Sequence, residues 1–449
     1  MGGIERLLAQ LSDLVWGPPL LILLFGTHVF LTIRLRFVQR HLAKGIRISV
    51  ERSSEGAGDV SQFGALTTAL AATIGTGNIV GVATAIGLGG PGAVLWMWLT
   101  GVFGIATKYA EALLAVKYRV ETAHGMAGGP MYVLERGMHA RWLGLVFAAL
   151  TAVAAFGIGC MVQANSIATL LHDGVNLSPW ISGAIMAVLT AVVVLGGIKA
   201  IARACEALVP FMAAFYVLGC AVLLLMHAER IPDTLRLIVS GAFTPQAATG
   251  GFLGAGVREA IRYGIARGLF SNESGLGSAP IVAAAAQTKN PVRQALVSST
   301  GTFWDTVVVC AMSGLVIVNS GAWQQGLRGA ALTRAAFADI PYVGPLILTV
   351  GLLTFVFSTI LGWSYYGEKA AEYLAGPRVI VPYRLLWVAA VMVGSIATLP
   401  AVWSFADVAN GLMAVPNLVS LLALNGVIVA ETRAYLWSDN LEASADEIR

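Results

Sequence analysis

Apolar runs long enough to cross a bilayer alternate along this chain with short stretches rich in charge, glycine and proline. A membrane-spanning helix needs about 20 mostly apolar residues. By that measure the pattern predicts about eleven spans, at Leu14–Ile33, Phe63–Leu88, Ala93–Val116, Trp142–Leu171, Trp180–Gly197, Cys205–His227, Gly251–Ala286, Ala295–Ser320, Val343–Tyr373, Tyr383–Leu399 and Phe405–Ala430. The sequence does not show the short alternating segments that are typical of a membrane barrel. We therefore expect an all-α polytopic membrane protein.

Composition supports the same class. Of 449 residues, 57% are hydrophobic and only 12% are charged, whereas a soluble chain has about 25% charged residues. This number of charged residues is too small to cover a water-facing surface of this size. The lipid bilayer is therefore the expected partner. The basic residues lie in short loops rather than on one face, which is unlike a nucleic-acid-binding protein. The four cysteines are solitary, so we interpret them as small core residues.

The distribution of lysine and arginine predicts the orientation. The loop after the first span carries Arg34, Arg36, Arg40, Lys44 and Arg47, and later loops on the same side are also basic. The bias between the two sides is roughly threefold and keeps its sign along the chain. Because basic loops stay in the cytoplasm, we expect a cell (inner) membrane protein with its N-terminus outside and its C-terminus inside.

Two predicted spans are interrupted by glycine and small polar residues at mid-membrane depth: the second, within Thr67–Gly81, and the seventh, within Gly264–Pro280. Lipid offers no partner for a freed backbone group, so unwound helix is expected only around an enclosed, hydrated site. Each interrupted span opens a stretch of about five spans, which is typical of an inverted-repeat transporter. The predicted units are residues 1–60 (an extra span and a basic loop), 61–230 and 250–432 (the two repeats), and 433–449 (a cytoplasmic tail).

Broken helices of this kind can hold both a zwitterion and a cation. The N-terminus of a half-helix favours a carboxylate, and the freed carbonyls at a C-terminus favour a cation or an ammonium group. An amino acid together with Na⁺ therefore matches both ends. The alternative is that the glycines only allow close packing, since Gly77 and Gly81 have small-xxx-small spacing.

Several long motifs resemble the alanine or glycine:cation symporter family, also called the sodium:alanine symporters. The motifs are Gly89–Gly104 (GGPGAVLWMWLTGVFG), Ala71–Ile79 (AATIGTGNI), Ala127–Tyr132 (AGGPMY), Phe270–Pro280 (FSNESGLGSAP) and Ser358–Glu368 (STILGWSYYGE). The resemblance extends from about Trp16 to Asn417. It implies an eleven-span protein whose last ten spans adopt the LeuT-type inverted-repeat fold, with the breaks in spans two and seven. It also implies that the protein imports alanine or glycine with Na⁺ by alternating access and has no organic cofactor.

The resemblance further implies a sodium site between the second and ninth spans. Its ligands are expected to be the carbonyls of Ala71, Ile74 and Phe355 together with the hydroxyls of Ser358 and Thr359. A hard cation prefers oxygen ligands, and carbonyls and hydroxyls are sufficient. The alternative is that both hydroxyls only bond back to the preceding helical turn.

The substrate site is expected at both breaks, where Thr76, Gly77 and Asn78 meet one end of the amino acid and Ser271 and Asn272 the other. Gln163 and Trp363 match positions that line the pocket of the family. A glutamine amide can both donate and accept, and a tryptophan would limit the pocket to small side chains. Each also has a structural alternative: a hydrogen bond between helices for Gln163, and bundle packing for Trp363.

Other functional classes fit less well. An intramembrane enzyme is disfavoured because the sequence has no H-E-x-x-H or G-x-S-x-G motif and no long soluble stretch. A channel usually builds its pore from a carbonyl or charged ring, whereas paired broken helices favour alternating access. A transporter of the same fold for another small solute, or one coupled to H⁺, stays open as the main alternative. Of the ionisable residues inside spans, Lys108 and Glu111 are expected to pair, and Glu273 is a candidate for a gate or a proton site.

Overall fold

The computed structural model describes residues 3–51, 56–244, 256–397, 400–444 and 447. Almost all of this part is helical, with one short antiparallel hairpin of β1 (Val120–Thr122) and β2 (Gly125–Ala127). The α-helices, in chain order, are α1 Gly3–Val15, α2 Pro18–Arg34, α3 Leu42–Val50, α4 Gln62–Thr73, α5 Val82–Gly89, α6 Ala93–Lys117, α7 Pro130–Tyr132, α8 Arg141–Ala154, α9 Val162–Val175, α10 Pro179–Val194, α11 Gly197–Met226, α12 Ile231–Phe243, α13 Val257–Asn272, α14 Pro280–Ala283, α15 Pro291–Thr302, α16 Ala311–Asn319, α17 Gly329–Ala338, α18 Val343–Ala375, α19 Ile380–Ile396, α20 Pro400–Ala423 and α21 Asn425–Thr432.

Wider π-helical turns join or extend several of these helices. They cover Gly77–Gly81, Val133–Gly137, Ala155–Met161, Phe303–Cys310 and Arg433–Trp437. Two of them each link a pair of helices into one long rod, Arg141–Val175 and Pro291–Asn319. Such turns are rare and occur frequently at functional sites.

In the part of the chain that the structure describes, eight helices are long and apolar enough to cross a membrane. The pair α4 and α5, bent by 52° at its break, makes a ninth, and α10 is a shorter apolar helix. The protein is therefore a multi-pass, mostly helical membrane protein. The remaining predicted span begins at Gly251, but residues 251–255 lie outside the described part, and the helix there runs over Val257–Asn272.

The lipid-facing and interior helices differ in burial. Large apolar side chains are exposed along α10, α11 and α19, including those of Val192, Leu218 and Leu386. The short helix α4 is instead buried over almost its whole length, as are α14 and α15. Helix α6 packs against α13, α14 and α15. The two interrupted helices therefore lie at the centre of the bundle, surrounded by protein rather than lipid.

Some predicted boundaries differ from the observed ones for a physical reason. Helix α11 begins at Gly197, eight positions before the predicted span, because its first two turns carry the exposed charged residues Lys199 and Arg203, which interrupt the apolar pattern. Helix α15 begins at Pro291 because the Asn290 side chain caps it, accepting from the Arg293 backbone N–H at 2.9 Å.

Candidate functional site

The first break separates α4 from α5 at residues 74–76. Ile74 leaves the helical conformation (φ −76°, ψ 95°), and the Gly75 N–H donates to the Asn78 side-chain oxygen at 2.8 Å. In a continuous helix this N–H would bond to the Ala71 carbonyl. A Cβ on Gly75 would lie 2.6 Å from the Thr359 hydroxyl, so glycine is required where the break meets α18. The break thus frees backbone carbonyls and turns them towards a neighbouring helix.

Five oxygen atoms converge at this point. Ser358 Oγ lies 3.2 Å from the Ala71 carbonyl and 2.8 Å from the Phe355 carbonyl. Thr359 Oγ1 lies 3.3 Å from the Ile74 carbonyl and 3.0 Å from the Phe355 carbonyl. All five residues are buried. Because each hydroxyl has one hydrogen, two donors face three carbonyls, and the cluster has more acceptor capacity than donors. The structure therefore brings together all five residues expected at the sodium site, and it also contains the back-bonds of the alternative.

Gln163 faces the same break from the helix run Arg141–Val175. Its amide nitrogen donates to the Ile158 carbonyl at 2.9 Å. Its Oε1 is buried and has no hydrogen-bond partner among the described residues. That oxygen lies 3.8 Å from where a Cβ of Gly75 would stand. Gln163 thus presents a free acceptor to the break.

Thr76 and Gly77 lie where the first break opens and where it meets the second. Thr76 lines a cavity of about 260 Å³ together with Val80, Ser166, Asp173 and other residues of α9, α17 and α18. A Cβ on Gly77 would lie 3.3 Å from the Cα of Ser271, so the two broken segments are in contact. The cavity therefore adjoins the first break at Thr76, and the first break in turn touches the second at Gly77.

A buried carboxylate joins the two breaks. Asp305, in the π-helical turn before α16, accepts from the Asn78 amide at 2.6 Å and from the Ser271 hydroxyl at 3.1 Å. The Thr306 hydroxyl donates to it at 2.7 Å. Asn78 and Ser271 therefore bind the same side chain. The sequence alone marks Asp305 only as an ionisable residue inside a span, because its partners are distant along the chain.

The second break begins where α13 ends at Asn272. Glu273 adopts a left-handed conformation (φ +55°), and Gly275 and Gly277 also have positive φ, +88° and +87°. The Asn272 side-chain oxygen accepts from the Ser274 N–H at 2.9 Å, while its Nδ2 has no partner in the described part of the chain. The left-handed residues let several N–H groups point towards one neighbour.

That neighbour is Glu111 on α6. One of its carboxylate oxygens accepts from the N–H groups of Gly275 and Gly277 at 3.0 and 3.1 Å, and from the Asn417 amide at 2.7 Å. The expected pair with Lys108 is wrong: the buried Lys108 ammonium has no hydrogen-bond partner among the described residues. All three N–H donors bind the same oxygen, and the second Glu111 oxygen also has no hydrogen-bond partner among the described residues, so Glu111 is held by the second break and by Asn417 rather than by Lys108.

Trp363 connects α18 to the second break. Its Nε1 donates to a Glu273 carboxylate oxygen at 3.1 Å, and the Ser278 hydroxyl donates to the other oxygen. The ring is 1% exposed. It packs on Gly159, where a Cβ would stand 2.3 Å from the tryptophan Cβ. The structure therefore gives Trp363 a packing role and a hydrogen bond beside the break.

Helix α2 also reaches the second break. A Cβ on Gly275 would lie 2.7 Å from Leu24 and 3.6 Å from His28. Both side chains are fully buried, and His28 Nδ1 lies 2.8 Å from the Thr107 hydroxyl.

Comparison with known proteins identifies the family. The profile of the sodium:alanine symporter family matches residues 1–448. The chain is 51% identical to the sodium/alanine symporter AgcS of Methanococcus maripaludis over 441 residues, covering 96% of each chain. The chain belongs to the sodium:alanine symporter family. It is therefore a membrane transporter rather than an enzyme, as the motifs predicted.

Other members of the sodium:alanine symporter family show the range of the similarity. An uncharacterized transporter of Haemophilus influenzae is 52% identical over 438 residues, with 96% of each chain covered. The probable sodium/glutamine symporter GlnT of Bacillus subtilis is 36% identical over 440 residues, covering 96% of this chain and 91% of GlnT.

Solved structures show the fold of this family member. MhsT in complex with L-phenylalanine matches with a TM-score of 0.54 at 14% identity, covering 83% of this chain and 98% of MhsT. The Eremococcus coleocola manganese transporter, in complex with an aromatic bis-isothiourea substituted compound, matches with a TM-score of 0.51 at 13% identity, covering 86% of this chain and 89% of that transporter. At these identities the likeness concerns the fold alone, and it agrees with the LeuT-type architecture that the motifs implied.

Proposed function

We propose that this protein imports small amino acids of the alanine or glycine type together with Na⁺, by alternating access around the two breaks. The observation that carries the proposal is the cluster of carbonyl and hydroxyl oxygens beside the free Gln163 acceptor. A cation and an amino acid could bind there side by side, out of contact with lipid. The family relationship supports sodium as the coupling ion.

The sodium ion is proposed to bind among the carbonyls of Ala71, Ile74 and Phe355 and the hydroxyls of Ser358 and Thr359. The surplus of acceptor oxygens supports this assignment, because a hard cation satisfies several acceptors at once without needing a formal charge. The separations of 3.2 and 3.3 Å between the hydroxyls and the carbonyls of Ala71 and Ile74 support one shared ion position.

The amino acid is proposed to bind beside the contact between the two breaks, with Thr76 and Gly77 towards one of its ends and Ser271 and Asn272 towards the other. The unpaired Gln163 Oε1 suits the ammonium group, and the unpaired Asn272 Nδ2 is a donor of the kind a carboxylate needs. Asn78 is assigned to the wall of the site, because its amide is already engaged with Asp305. Trp363 is proposed to limit the volume available to the side chain.

Eleven passes through the membrane are proposed. They are the nine counted above, α10, and α13 with its break, and they give repeats within residues 61–230 and 250–432 that follow the extra unit 1–60 and precede the tail 433–449. With basic loops inside, the N-terminus lies outside and the C-terminus in the cytoplasm. The cavity lined by Thr76 then faces outward, since α9 ends and α18 begins on that side.

Uptake into proteoliposomes tests the proposal. Radiolabelled alanine should accumulate against its gradient when Na⁺ is high outside, and accumulation should vanish when Na⁺ is equal on both sides. Accumulation driven by a proton gradient alone would replace sodium by H⁺ as the coupling ion. A panel that includes glutamine tests the main alternative substrate, which the similarity to GlnT favours.

A further inference from the structure

The segments that flank the two broken helices are paired to each other on one face of the bundle. We call this the inner pairing: residues 57–60, which precede α4, against residues 284–288, which follow α14. The N–H of Asp59 donates to the Ala285 carbonyl at 2.7 Å, and the N–H of Gln287 donates to the Val60 carbonyl at 2.8 Å. Val60 and Ala286 form a parallel β-bridge. The start of one broken helix and the end of the other are therefore joined backbone to backbone.

Arg119 holds the inner pairing from a third element. It follows α6, and its guanidinium donates to the carbonyls of Ala284 and Ala286 at 3.0 and 2.8 Å, and to the Ala57 carbonyl at 2.7 Å. One side chain thus binds both strands of the pairing at once. Hydrogen bonds from a charged donor are about twice as strong as neutral ones, so Arg119 contributes more than an ordinary surface arginine.

The hairpin β1–β2 supports the same place. The Met126 N–H donates to the Asp59 carboxylate at 2.7 Å. Gly125 has φ +104°, and a Cβ there would lie 2.5 Å from that carboxylate, so the hairpin turn fits only with glycine. Asp59 therefore attaches the first strand of the pairing to the loop that also carries Arg119.

From these contacts we infer that the inner pairing is the cytoplasmic gate, and that Arg119 is the positioning residue that keeps it closed. The inference rests on the proposed transport function and orientation. The Thr76 cavity lies on the opposite side of the breaks, so the structure combines an outward cavity with a hydrogen-bonded connection between the two broken helices on the inner side. Release of substrate inward requires the start of α4 and the end of α14 to separate, which breaks the backbone pairing and detaches Arg119 from at least one of the two strands in every cycle.

Covalent fixation of the pairing gives the first test. In a background in which Cys160, Cys205, Cys220 and Cys310 are replaced by alanine, Val60→Cys and Ala286→Cys are combined, since bridged residues lie within reach of a disulfide. Oxidation should abolish alanine uptake, and reduction should restore it. Full uptake with the cross-link formed would overturn the inference. Uptake by the reduced protein confirms in the same sample that transport itself is intact.

Accessibility gives a second test that needs no transport. Ala279→Cys places a thiol in a small cavity between α4, α6 and the start of α14, behind the inner pairing. In inside-out vesicles, Arg119→Ala should raise the rate at which a membrane-impermeant thiol reagent modifies this cysteine about tenfold. That factor corresponds to a loss of about 1.4 kcal/mol in the stability of the closed state relative to the open state. Arg119→Lys should be intermediate, because lysine has no planar fork to reach both strands.

The exposed Arg378 provides the matched control, since Arg378→Ala removes the same charge from the short helical turn between α18 and α19, which is not part of the inner pairing. Equal modification rates in Arg119→Ala and Arg378→Ala would show that Arg119 does not keep the gate closed. If the unmodified protein did not take up alanine, the proposed substrate would be wrong, but the labelling result would still decide the gate.

Discussion

The two breaks are built from different chemistry. The first is lined by neutral oxygens, the carbonyls of α4 and the hydroxyls of Ser358 and Thr359. The second is held by two carboxylates, Glu111 and Glu273, whose hydrogen-bond donors are backbone N–H groups, Asn417, Ser278 and Trp363. One break exposes spare acceptors, and the other has its backbone donors satisfied by side chains.

The difference indicates that the first break is suited to ion binding and the second to holding the fold. At a site with more acceptor oxygens than hydrogens, a cation can replace the hydrogen bonds between hydroxyls and carbonyls at a low cost in free energy. A left-handed segment held by charge-assisted bonds is instead fixed in shape, because any opening leaves buried N–H groups unpaired. We therefore expect substitutions at the second break to affect stability, and those at the first to affect ion binding.

Removal of the Glu111 carboxylate is expected to have the largest effect. In Glu111→Ala the N–H groups of Gly275 and Gly277 lose their partner, and each unsatisfied buried donor costs about 1–3 kcal/mol. The detergent-purified variant should show a clear drop in Tm, whereas Glu111→Gln, which keeps an acceptor, should lose less. Glu121→Ala, an exposed carboxylate in β1, is the control. Equal Tm values for Glu111→Ala and Glu121→Ala would contradict a structural role for Glu111.

Loss of one hydroxyl at the first break should weaken sodium binding without unfolding the protein. Thr359→Ala removes one of five proposed ligands, and we expect the Na⁺ concentration for half-maximal uptake to rise about tenfold, or about 1.4 kcal/mol. The control is Thr354→Ala on the same helix, since within the described part of the chain the Thr354 hydroxyl bonds only to its own helix, at Val350 and Gly351. Unchanged Na⁺ dependence in Thr359→Ala would show that the cluster is only a set of helix back-bonds.

The smallest effect is expected for selectivity at Trp363, which lies beside the second break. Trp363→Ala should raise uptake of glutamine relative to alanine about fivefold. This is less than the discrimination of roughly tenfold that a tight apolar pocket achieves between two substrates differing by one methylene. Trp363→Phe keeps a ring but removes the donor to Glu273, so it separates volume from hydrogen bonding. Trp142→Ala, at an exposed tryptophan at the start of α8, is the control. Unaltered competition between the two amino acids in Trp363→Ala would exclude the ring from the pocket.

The sequence is most informative where the pattern is local. The glycine-rich interruption at Gly75 to Gly77 predicts the first break, and the family motifs place Ser358 and Thr359 opposite it. The apolar pattern does not predict helices α12 and α17, because neither segment is long and apolar enough to stand out as a span. A signal is present in α12, where Thr234, Ile238 and Ala242 are buried at a spacing of four residues, as on one face of an amphipathic helix.

The contacts that hold the second break cannot be read from the chain. Glu111 is separated by 164 residues from Gly275 and by 306 residues from Asn417, and no local rule joins them. The expected Lys108–Glu111 pair is not formed, and spacing on one helix does not reveal it, because spacing identifies possible neighbours but not the contacts that other segments supply. The role of Asp305 escapes prediction for the same reason, since it depends on Asn78 and Ser271 arriving from two different broken helices.

The close approach of α2 to Gly275 means that the extra N-terminal helix packs directly against the second break. Leu24 and His28 fill the hollow that the missing side chain of Gly275 leaves. A version of the protein trimmed to the two repeats would have to fill this hollow with acyl chains, which pack against irregular backbone less well than a matched side chain. Helix α2 is therefore expected to support the conformation of the second break, in addition to anchoring the chain in the membrane.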